Sequence, residues 1–173
     1  MLTITKLKLR RDELCLAFEK ALIQSDYLAI HVSKDGPLNS DVYRVTTSGQ
    51  NEKIIYLKIR NISDGGWYWK PEVYRIQMPA FSYKIIPPIS ENEAFLAVGV
   101  IQVDGHPIFV LWNIFLYSSH KTNCSLYVHD QSLIQGFNDG FARLVDSGKT
   151  IFIASEEKLA FAIEQFINYA KTV

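Results

Sequence analysis

The chain has 173 residues, 48% of them hydrophobic, and a formal net charge of zero. This length allows one domain with a substantial core, and the hydrophobic content excludes a disordered chain. The longest apolar run, residues 108–116, is interrupted by Asn113 and falls far short of the roughly 20 residues that a membrane-spanning helix requires. We therefore predict a single domain over residues 1–173 that does not enter a membrane.

The N-terminus and the cysteines predict a cytoplasmic location. The opening residues, MLTITKLKLRRDEL, include basic side chains but no continuous apolar core, so they do not form a secretory signal. Cys15 and Cys124 lie far apart and form no CxxC pair. This pattern favours a reducing compartment over a disulfide framework.

The first third of the chain predicts a helix followed by a strand and a hairpin. Residues 11–24 place Leu14, Phe18, Ala21 and Leu22 at helical spacing. Residues 27–33 resemble a strand, and the polar segment KDGPLNSD after them resembles a loop. Residues 41–47 and 53–62 have β-branched or aromatic residues at alternate positions around SGQN, which predicts a β-hairpin.

The middle of the chain predicts more strands. Residues 73–78, VYRIQM, form one candidate. Residues 94–103 and 106–117 are apolar on both faces, and Asp104-Gly105 joins them, which predicts a central hairpin. Residues 125–128, SLYV, would add an edge strand.

The C-terminal part predicts a helix, a strand and a helix. Asp130 is the expected cap of a helix over residues 131–145, with Gly148 just beyond its end. Residues 150–154 form a strand, and Ser155 would cap a last helix through Ala170. The whole order predicts an α+β domain with a mostly antiparallel, curved sheet and flanking helices.

The charges are unevenly distributed along the chain. Residues 53–88 contain six basic and two acidic side chains, a net charge of +4, whereas residues 89–173 contain five basic and nine acidic ones, a net charge of −4. If the fold keeps the basic segment on one face, that face attracts a phosphate backbone. The alternative is a solvated sheet face with scattered lysines.

The segment GGWYWKPEVYRIQ, residues 65–77, is the most unusual part of the chain. Glycines allow a sharp turn that could hold its aromatic side chains outward to stack on bases, wedge into a base step or line a pocket for a flipped base. The alternative is that Trp67 and Trp69 fold back onto the sheet. The candidate DNA-binding residues are Lys58, Arg60, Trp67, Tyr68, Trp69, Lys70, Arg75 and Gln77.

The sequence also offers two catalytic alternatives. In a PD-(D/E)XK-type nuclease, Asp41 would bind Mg²⁺ and Lys58 would orient water. Tyr56 stands where a second acid belongs, so Glu52 or Glu72 would have to serve. A zinc or HNH site from His106, Asn113, His120, Cys124 and His129 lacks the required spacing, and we predict no metal site there. The chain has no GxSxG elbow and no phosphate-binding glycine loop.

Several segments together suggest a known family. They are YLKIRNI, Gly65-Gly66, KPEVYRIQM, AFLAVGV, IFVLWN and CSLYV before a helix, followed by a final strand and helix. This order, from about residue 27 to residue 167, resembles the N-terminal head domain of McrA-type, modification-dependent HNH restriction endonucleases and related restriction proteins. Where that family tends to have acids, this chain has Val73 and Asn113, with Glu72 one position before Val73.

The resemblance implies a DNA-facing module of a restriction or anti-phage defence system. Its partners would be double-stranded DNA, modified or unmodified, and a separate nuclease or methyltransferase subunit. Cleavage is not implied, because the HNH nuclease of those enzymes lies in another domain, and no cofactor is expected unless the Mg²⁺-dependent alternative holds. A protein-interaction adaptor, whose exposed aromatics contact another subunit, is the third alternative.

Overall fold

A computed structural model describes residues 1–47, 51–82, 86 and 90–170. Its helices are α1 (Arg11–Ile23), α2 (Asp130–Asp139) and α3 (Leu159–Ala170). Its strands are β1 (Ile4–Thr5), β2 (Tyr27–Ser33), β3 (Asp41–Thr47), β4 (Lys53–Asn61), β5 (Ser63–Asp64), β6 (Val73–Met78), β7 (Glu93–Val103), β8 (His106–Trp112), β9 (Cys124–His129), β10 (Phe141–Asp146) and β11 (Lys149–Ser155). The α+β class is confirmed.

The strands form two sheets. The large sheet has the order β10-β11-β8-β7-β4-β3-β2, and β1 adds a short pairing to β7. The small sheet has the order β5-β6-β9. Within the described residues every strand pairing is antiparallel except that of β4 with β7, so the mostly antiparallel sheet is also confirmed.

Two hydrophobic clusters cover the two faces of the large sheet. On one face α1 and α3 pack through side chains such as Phe18 and Phe166. On the other face the small sheet and α2 pack around Trp112, Leu126 and Leu133. The central strands β7 and β8 are almost wholly buried, as expected for strands that are apolar on both faces.

The predicted β-hairpins are present. β3 and β4 pair antiparallel, although residues 48–50 of the predicted turn SGQN lie outside the described residues. Asp104 and Gly105 have φ angles of 48° and 78°, the positive values that a two-residue hairpin turn requires. β8 ends at Trp112, earlier than predicted, because the Asn113 side chain accepts a hydrogen bond from Phe115 N and starts a short 3₁₀ turn.

The helix predicted over residues 131–145 is the main error in the secondary structure. α2 ends at Asp139, since Gly140 takes a φ of 76° that turns the chain out of the helix. Residues 141–146 then form β10, which pairs with β11 through a turn at Ser147 and Gly148. The apolar residues whose spacing predicts one long helix lie partly in α2 and partly in β10.

The predicted helix caps also differ in detail. His129 is the N-cap of α2, and Asp130 is its first residue. A 3₁₀ turn, Glu156–Lys158, precedes α3, and the Ser155 side chain makes no capping hydrogen bond. Across the described residues, no helix is both long and apolar enough to cross a membrane.

Candidate nucleic-acid interface

A cavity of about 460 Å³ lies where β4 extends beyond its neighbour β3. β3 begins at Asp41, which pairs with Leu57, so the last residues of β4 have a strand partner only on the β7 side. The lining residues are Leu9, Arg11, Leu14, Asn39, Asp41, Leu57, Lys58, Ile59, Arg60, Asn61, Ser63 and Gln77. We call this the basic cavity.

The open edge of β4 leaves backbone groups directed at the basic cavity. Ile54 N donates to Asn92 O and Ile62 N to Val100 O, so the even-numbered residues of this stretch bond toward β7. In a parallel pairing the backbone groups of successive residues point alternately to the two sides of the strand. The N–H and C=O of Ile59, an odd-numbered residue, are therefore directed to the open side of β4. Asn61 closes the end of the cavity, because its side-chain amide exchanges two hydrogen bonds with the backbone of Leu9.

Side chains from both faces of the sheet meet at this edge. Leu57 faces the α1 side, and its partner Asp41 shares that face. Lys58 and Arg60 follow at alternate positions and therefore project to the opposite face, toward the small sheet. β3 begins at Asp41 and does not cover the rest of β4. Asp41, Lys58 and Arg60 therefore line one cavity, although they project from opposite faces of the sheet.

Three cations line the basic cavity. Arg11 donates to the carboxylate of Asp41 at 2.9 Å and to Asn39 O at 2.7 Å. Lys58 Nζ donates to the backbone carbonyl of Leu38 at 2.7 Å. Arg60 makes no ion pair with any residue that the structure describes. The cations thus outnumber the acid that neutralises them.

Partial burial and the crowding of cations lower the pKa values of two of these side chains. Partial burial, together with the nearby charges of Arg60 and Arg11, lowers the pKa of Lys58 to about 8. Partial burial and Arg11 also lower the pKa of Arg60, even though much of its side chain contacts solvent. Both shifts have the direction expected for a site that is short of negative charge.

Asp41 has a structural role in the basic cavity, because both oxygens of its carboxylate already accept hydrogen bonds. Its side chain is 3% exposed, and its two oxygens accept from Arg11 Nε at 2.9 Å and His31 Nε2 at 2.8 Å. Burial opposes ionisation, but the hydrogen bonds from Arg11 and His31 hold the pKa of Asp41 below its usual value. The carboxylate is therefore ionised at neutral pH and fixes the position of Arg11.

The three predicted nuclease residues are not all in one place. Asp41 and Lys58 line the basic cavity, but Glu72 is an exposed residue before β6 and does not line it. Its backbone carbonyl accepts from Asp130 N at 2.8 Å. Within the described ranges, no group of three His, Cys, Asp or Glu side chains is arranged to hold a metal ion.

The basic cavity continues onto the outer face of the small sheet. Ser63 and Gln77 line the cavity and also belong to β5 and β6. Beyond them Arg75 pairs with Tyr127 on β9, and its guanidinium lies 3.4 Å from Ser125 Oγ. Lys58, Arg60, Gln77 and Arg75, four of the predicted DNA-binding residues, therefore follow one continuous surface.

The aromatic loop, residues 65–70, borders this surface at its far end. Gly66 has a φ of 88°, and a Cβ there would lie 3.1 Å from the Arg75 guanidinium, so glycine lets the loop pack closely over that side chain. Trp67 stacks on Tyr127 with ring centroids 5.0 Å apart and 24° between planes. Lys70 Nζ lies 5.4 Å from the centre of the Trp67 ring.

The other two aromatics of the loop are displayed. Tyr68 is 92% exposed and Trp69 60% exposed, and their rings contact each other edge to face. Of the two alternatives for the tryptophans, Trp67 thus folds back onto the small sheet and Trp69 does not. This exposed aromatic pair is a candidate contact surface for a ligand or a partner.

Comparison with known proteins places the chain in a family. The family model described as methylase-associated X1 (MTaX1) matches residues 53–169. The chain belongs to the methylase-associated X1 family. This membership points to a restriction-modification context. No curated protein and no solved structure matches the chain.

The family match covers only part of the basic cavity. Lys58, Arg60, Gln77 and the whole aromatic loop lie inside the matched residues. Arg11 and Asp41 precede the match. The N-terminal elements thus complete a cavity whose other wall belongs to the MTaX1 segment.

Sequence reasoning missed Arg11 as a member of the site. One signal was available, because Arg10 and Arg11 stand at the start of a helix, where the helix dipole favours acids over cations. Asn39 and Asn61 gave no such signal.

A second buried aspartate has a structural role. Asp146 accepts hydrogen bonds from the backbone N and Nδ1 of His129, at 2.8 and 2.7 Å, and from the hydroxyls of Ser132 and Ser147. These bonds tie the start of α2 to the turn between β10 and β11. Of the rejected zinc ligands, His129 is thus bound to Asp146, and the His106 ring lies beside Phe137.

Proposed function

We propose that this MTaX1 chain is the DNA-binding module of a restriction-modification or anti-phage defence system. The observation that carries the proposal is the basic cavity with its surplus of positive charge, continuous with the outer face of the small sheet. In this proposal Lys58 and Arg60 contact backbone phosphates of duplex DNA, and Arg75 and Lys70 extend the contact toward the aromatic loop.

Electrostatics supports phosphate as the target. The Lys58 ammonium contacts a neutral carbonyl and Arg60 has no acidic partner in the described part of the chain, so both charges are available to an anion. Phosphate contacts of this kind supply most of the sequence-independent affinity of DNA-binding proteins. The pKa of Lys58 rises again when a phosphate lies beside it, which favours binding.

The aromatic loop supports a contact to bases. Tyr68 and Trp69 are exposed, while Trp67 is fixed on Tyr127 and supports the loop from below. In the proposal these two rings lie at the groove or against a flipped base, where stacking contributes about 1–3 kcal/mol per base. Gln77 is placed between the cavity and the loop and would contact a base edge or sugar.

The family suggests the partner. Methylase association supports a methyltransferase or nuclease subunit beside this chain. The resemblance to the head domain of McrA-type endonucleases supports duplex DNA, modified or unmodified, as the ligand. We place the protein in the cytoplasm, where its free cysteines Cys15 and Cys124 stay reduced.

Fluorescence anisotropy with a labelled duplex, unmodified or cytosine-modified, tests the proposal. Wild type should bind, and Arg60→Gln should weaken binding about tenfold, the value of one charged hydrogen bond. Lys20→Gln is the matched control, since it removes one exposed charge from α1 away from the cavity. Absence of DNA binding by the folded wild type, or equal effects of the two variants, would reject the proposal.

A Mg²⁺-dependent nuclease is the second candidate, favoured by the presence of Asp41 and Lys58 in one cavity. Both oxygens of Asp41 already accept hydrogen bonds, so metal binding would require Arg11 or His31 to move. Denaturing gels of the same duplex with Mg²⁺ test it. Strand cleavage that is lost in Asp41→Ala and kept in Glu72→Ala, whose side chain lies outside the cavity, would support a nuclease at this site, and intact strands would leave a DNA reader.

A further inference from the structure

The charge of the basic cavity identifies the kind of anion that it fits. Arg11, Lys58 and Arg60 contribute three positive charges to the lining, and Asp41 is the acidic side chain among the described lining residues. The net charge of these four side chains is therefore +2 near neutral pH. A phosphodiester has one negative charge, whereas a terminal phosphate monoester approaches two, because its second pKa is about 6.

The donors converge from different elements of the fold. Arg11 comes from α1, and Lys58 and Arg60 from β4, so an anion between them is approached from more than one side. The backbone N–H of Ile59 points to the same open edge. Because Asp41 and Asn39 hold the Arg11 guanidinium, and Leu38 O holds Lys58, much of this geometry exists before a ligand arrives.

The lining also argues against a base as the occupant. None of the described lining residues is aromatic, so the cavity offers no ring for stacking. The apolar side chains present come from the α1 side of the sheet; they are Leu9, Leu14, Leu57 and Ile59. A volume of about 460 Å³ leaves room for a phosphoryl group with an attached sugar.

We propose that the basic cavity binds a dianionic phosphate monoester, as found at the 5′ end of a DNA strand or on a free nucleotide. This inference rests on the proposed function in using the same cavity, and it adds a preference for strand ends over the interior of a duplex. The aromatic loop would then contact bases near the end.

Competition with three matched duplexes tests this inference. One duplex has 5′-phosphates, one has 5′-hydroxyls, and one is closed by loops at both ends, so that it has no terminal phosphate. Wild type should bind the 5′-phosphorylated duplex about tenfold more tightly than the other two, as expected for one additional unit of charge in a site of this kind. Arg60→Gln should abolish this preference, and Lys20→Gln should retain it.

Small competitors identify the source of the phosphate and need no variant. Inorganic phosphate should displace the 5′-phosphorylated duplex, and sodium chloride at equal ionic strength should do so less. Displacement by a deoxynucleoside monophosphate at similar concentration would assign the monoester itself as the ligand. Displacement by inorganic phosphate and, at far lower concentration than by the nucleotide, by a 5′-phosphorylated oligonucleotide would assign a DNA end.

The two proposals fail in different ways. Equal affinity for all three duplexes, without competition by inorganic phosphate, overturns the phosphate-monoester site and leaves duplex binding intact. Competition between inorganic phosphate and a labelled nucleoside monophosphate, with no binding of any duplex, supports the site and rejects DNA binding.

Discussion

The basic cavity and the aromatic loop are built in opposite ways. The cavity collects Arg11, Asp41, Lys58 and Gln77 from four separate elements, and part-buried hydrogen bonds hold Arg11 and Lys58 in place. The loop is one continuous segment whose Tyr68 and Trp69 project into solvent. The surface thus has a preorganised part suited to charge and an exposed part suited to stacking.

The same difference predicts how each region responds to mutation. Cavity residues support one another, so their loss should change binding, and for Asp41 also folding. Exposed loop residues contribute little to the folded state, so their loss should change binding alone.

The largest effect is expected for the double substitution Lys58→Gln and Arg60→Gln. Each side chain should contribute one charged hydrogen bond to phosphate, so DNA affinity should fall by about 100-fold in total. Unfolding by urea should show no loss of stability, because the substitutions remove partly buried, mutually repelling charges. If DNA affinity fell no more than in Lys20→Gln, the basic cavity would not be the part of the surface that binds charge.

The next effect concerns the stability of the cavity. Asp41→Asn should lower the free energy of unfolding by about 1–3 kcal/mol, because it weakens hydrogen bonds that position Arg11 and His31. Glu52→Gln, which breaks the exposed ion pair with Arg44, is the matched control and should cost less than about 0.5 kcal/mol. Urea denaturation measures both, and equal costs would mean that Asp41 is not an anchor.

The two tryptophans of the loop have different environments, because Trp67 stacks on Tyr127 and Trp69 is exposed. Trp67→Ala should lower stability by about 1 kcal/mol through the lost stacking on Tyr127. Trp69→Ala should leave stability within about 0.5 kcal/mol and lower affinity for DNA with unpaired bases by about tenfold. Thermal unfolding and anisotropy together separate the two roles. If Trp69→Ala destabilised the fold as much as Trp67→Ala, the loop would not be divided in this way.

The smallest effect concerns pH. Lys58 has a pKa of about 8, so its positive charge is present at pH 7 and largely lost by about pH 9 in the free protein. The charged side chains that act on it are Arg60, Arg11 and Asp41. DNA affinity should therefore fall a few-fold between about pH 7 and about pH 9 in wild type. A Lys58→Gln protein should show no such fall. An equal fall in both proteins would mean that a group other than Lys58 titrates.

Local patterns allowed most of the fold to be predicted. Alternating apolar residues located the principal strands, and Asp104-Gly105 located the central hairpin, because these signals depend on neighbouring residues only. The division of residues 131–145 into α2 and β10 was missed, since helical spacing in the sequence continues across Gly140. The parallel pairing of β4 with β7 depends on a crossover through the small sheet, which no local pattern specifies.

The site was predictable where its residues lie close in sequence. The basic segment gave Lys58 and Arg60, and GGWYW gave the aromatic loop. Arg11 and Asn39 join the cavity only through tertiary packing, because α1 and the loop before β3 meet the open edge of β4. Which tryptophan folds back also depended on a distant residue, Tyr127, whose position on β9 could not be read from the loop itself.

The salt dependence of duplex binding shows whether the basic cavity binds phosphate. The logarithm of the binding constant should be plotted against the logarithm of salt concentration, from about 50 to about 200 mM, for wild type and the Lys58→Gln, Arg60→Gln double variant. We predict a slope of about −3 to −4 for wild type and a slope shallower by about 2 for the variant. Equal slopes for the two proteins, or binding that does not depend on salt, would contradict a phosphate-binding role for the basic cavity.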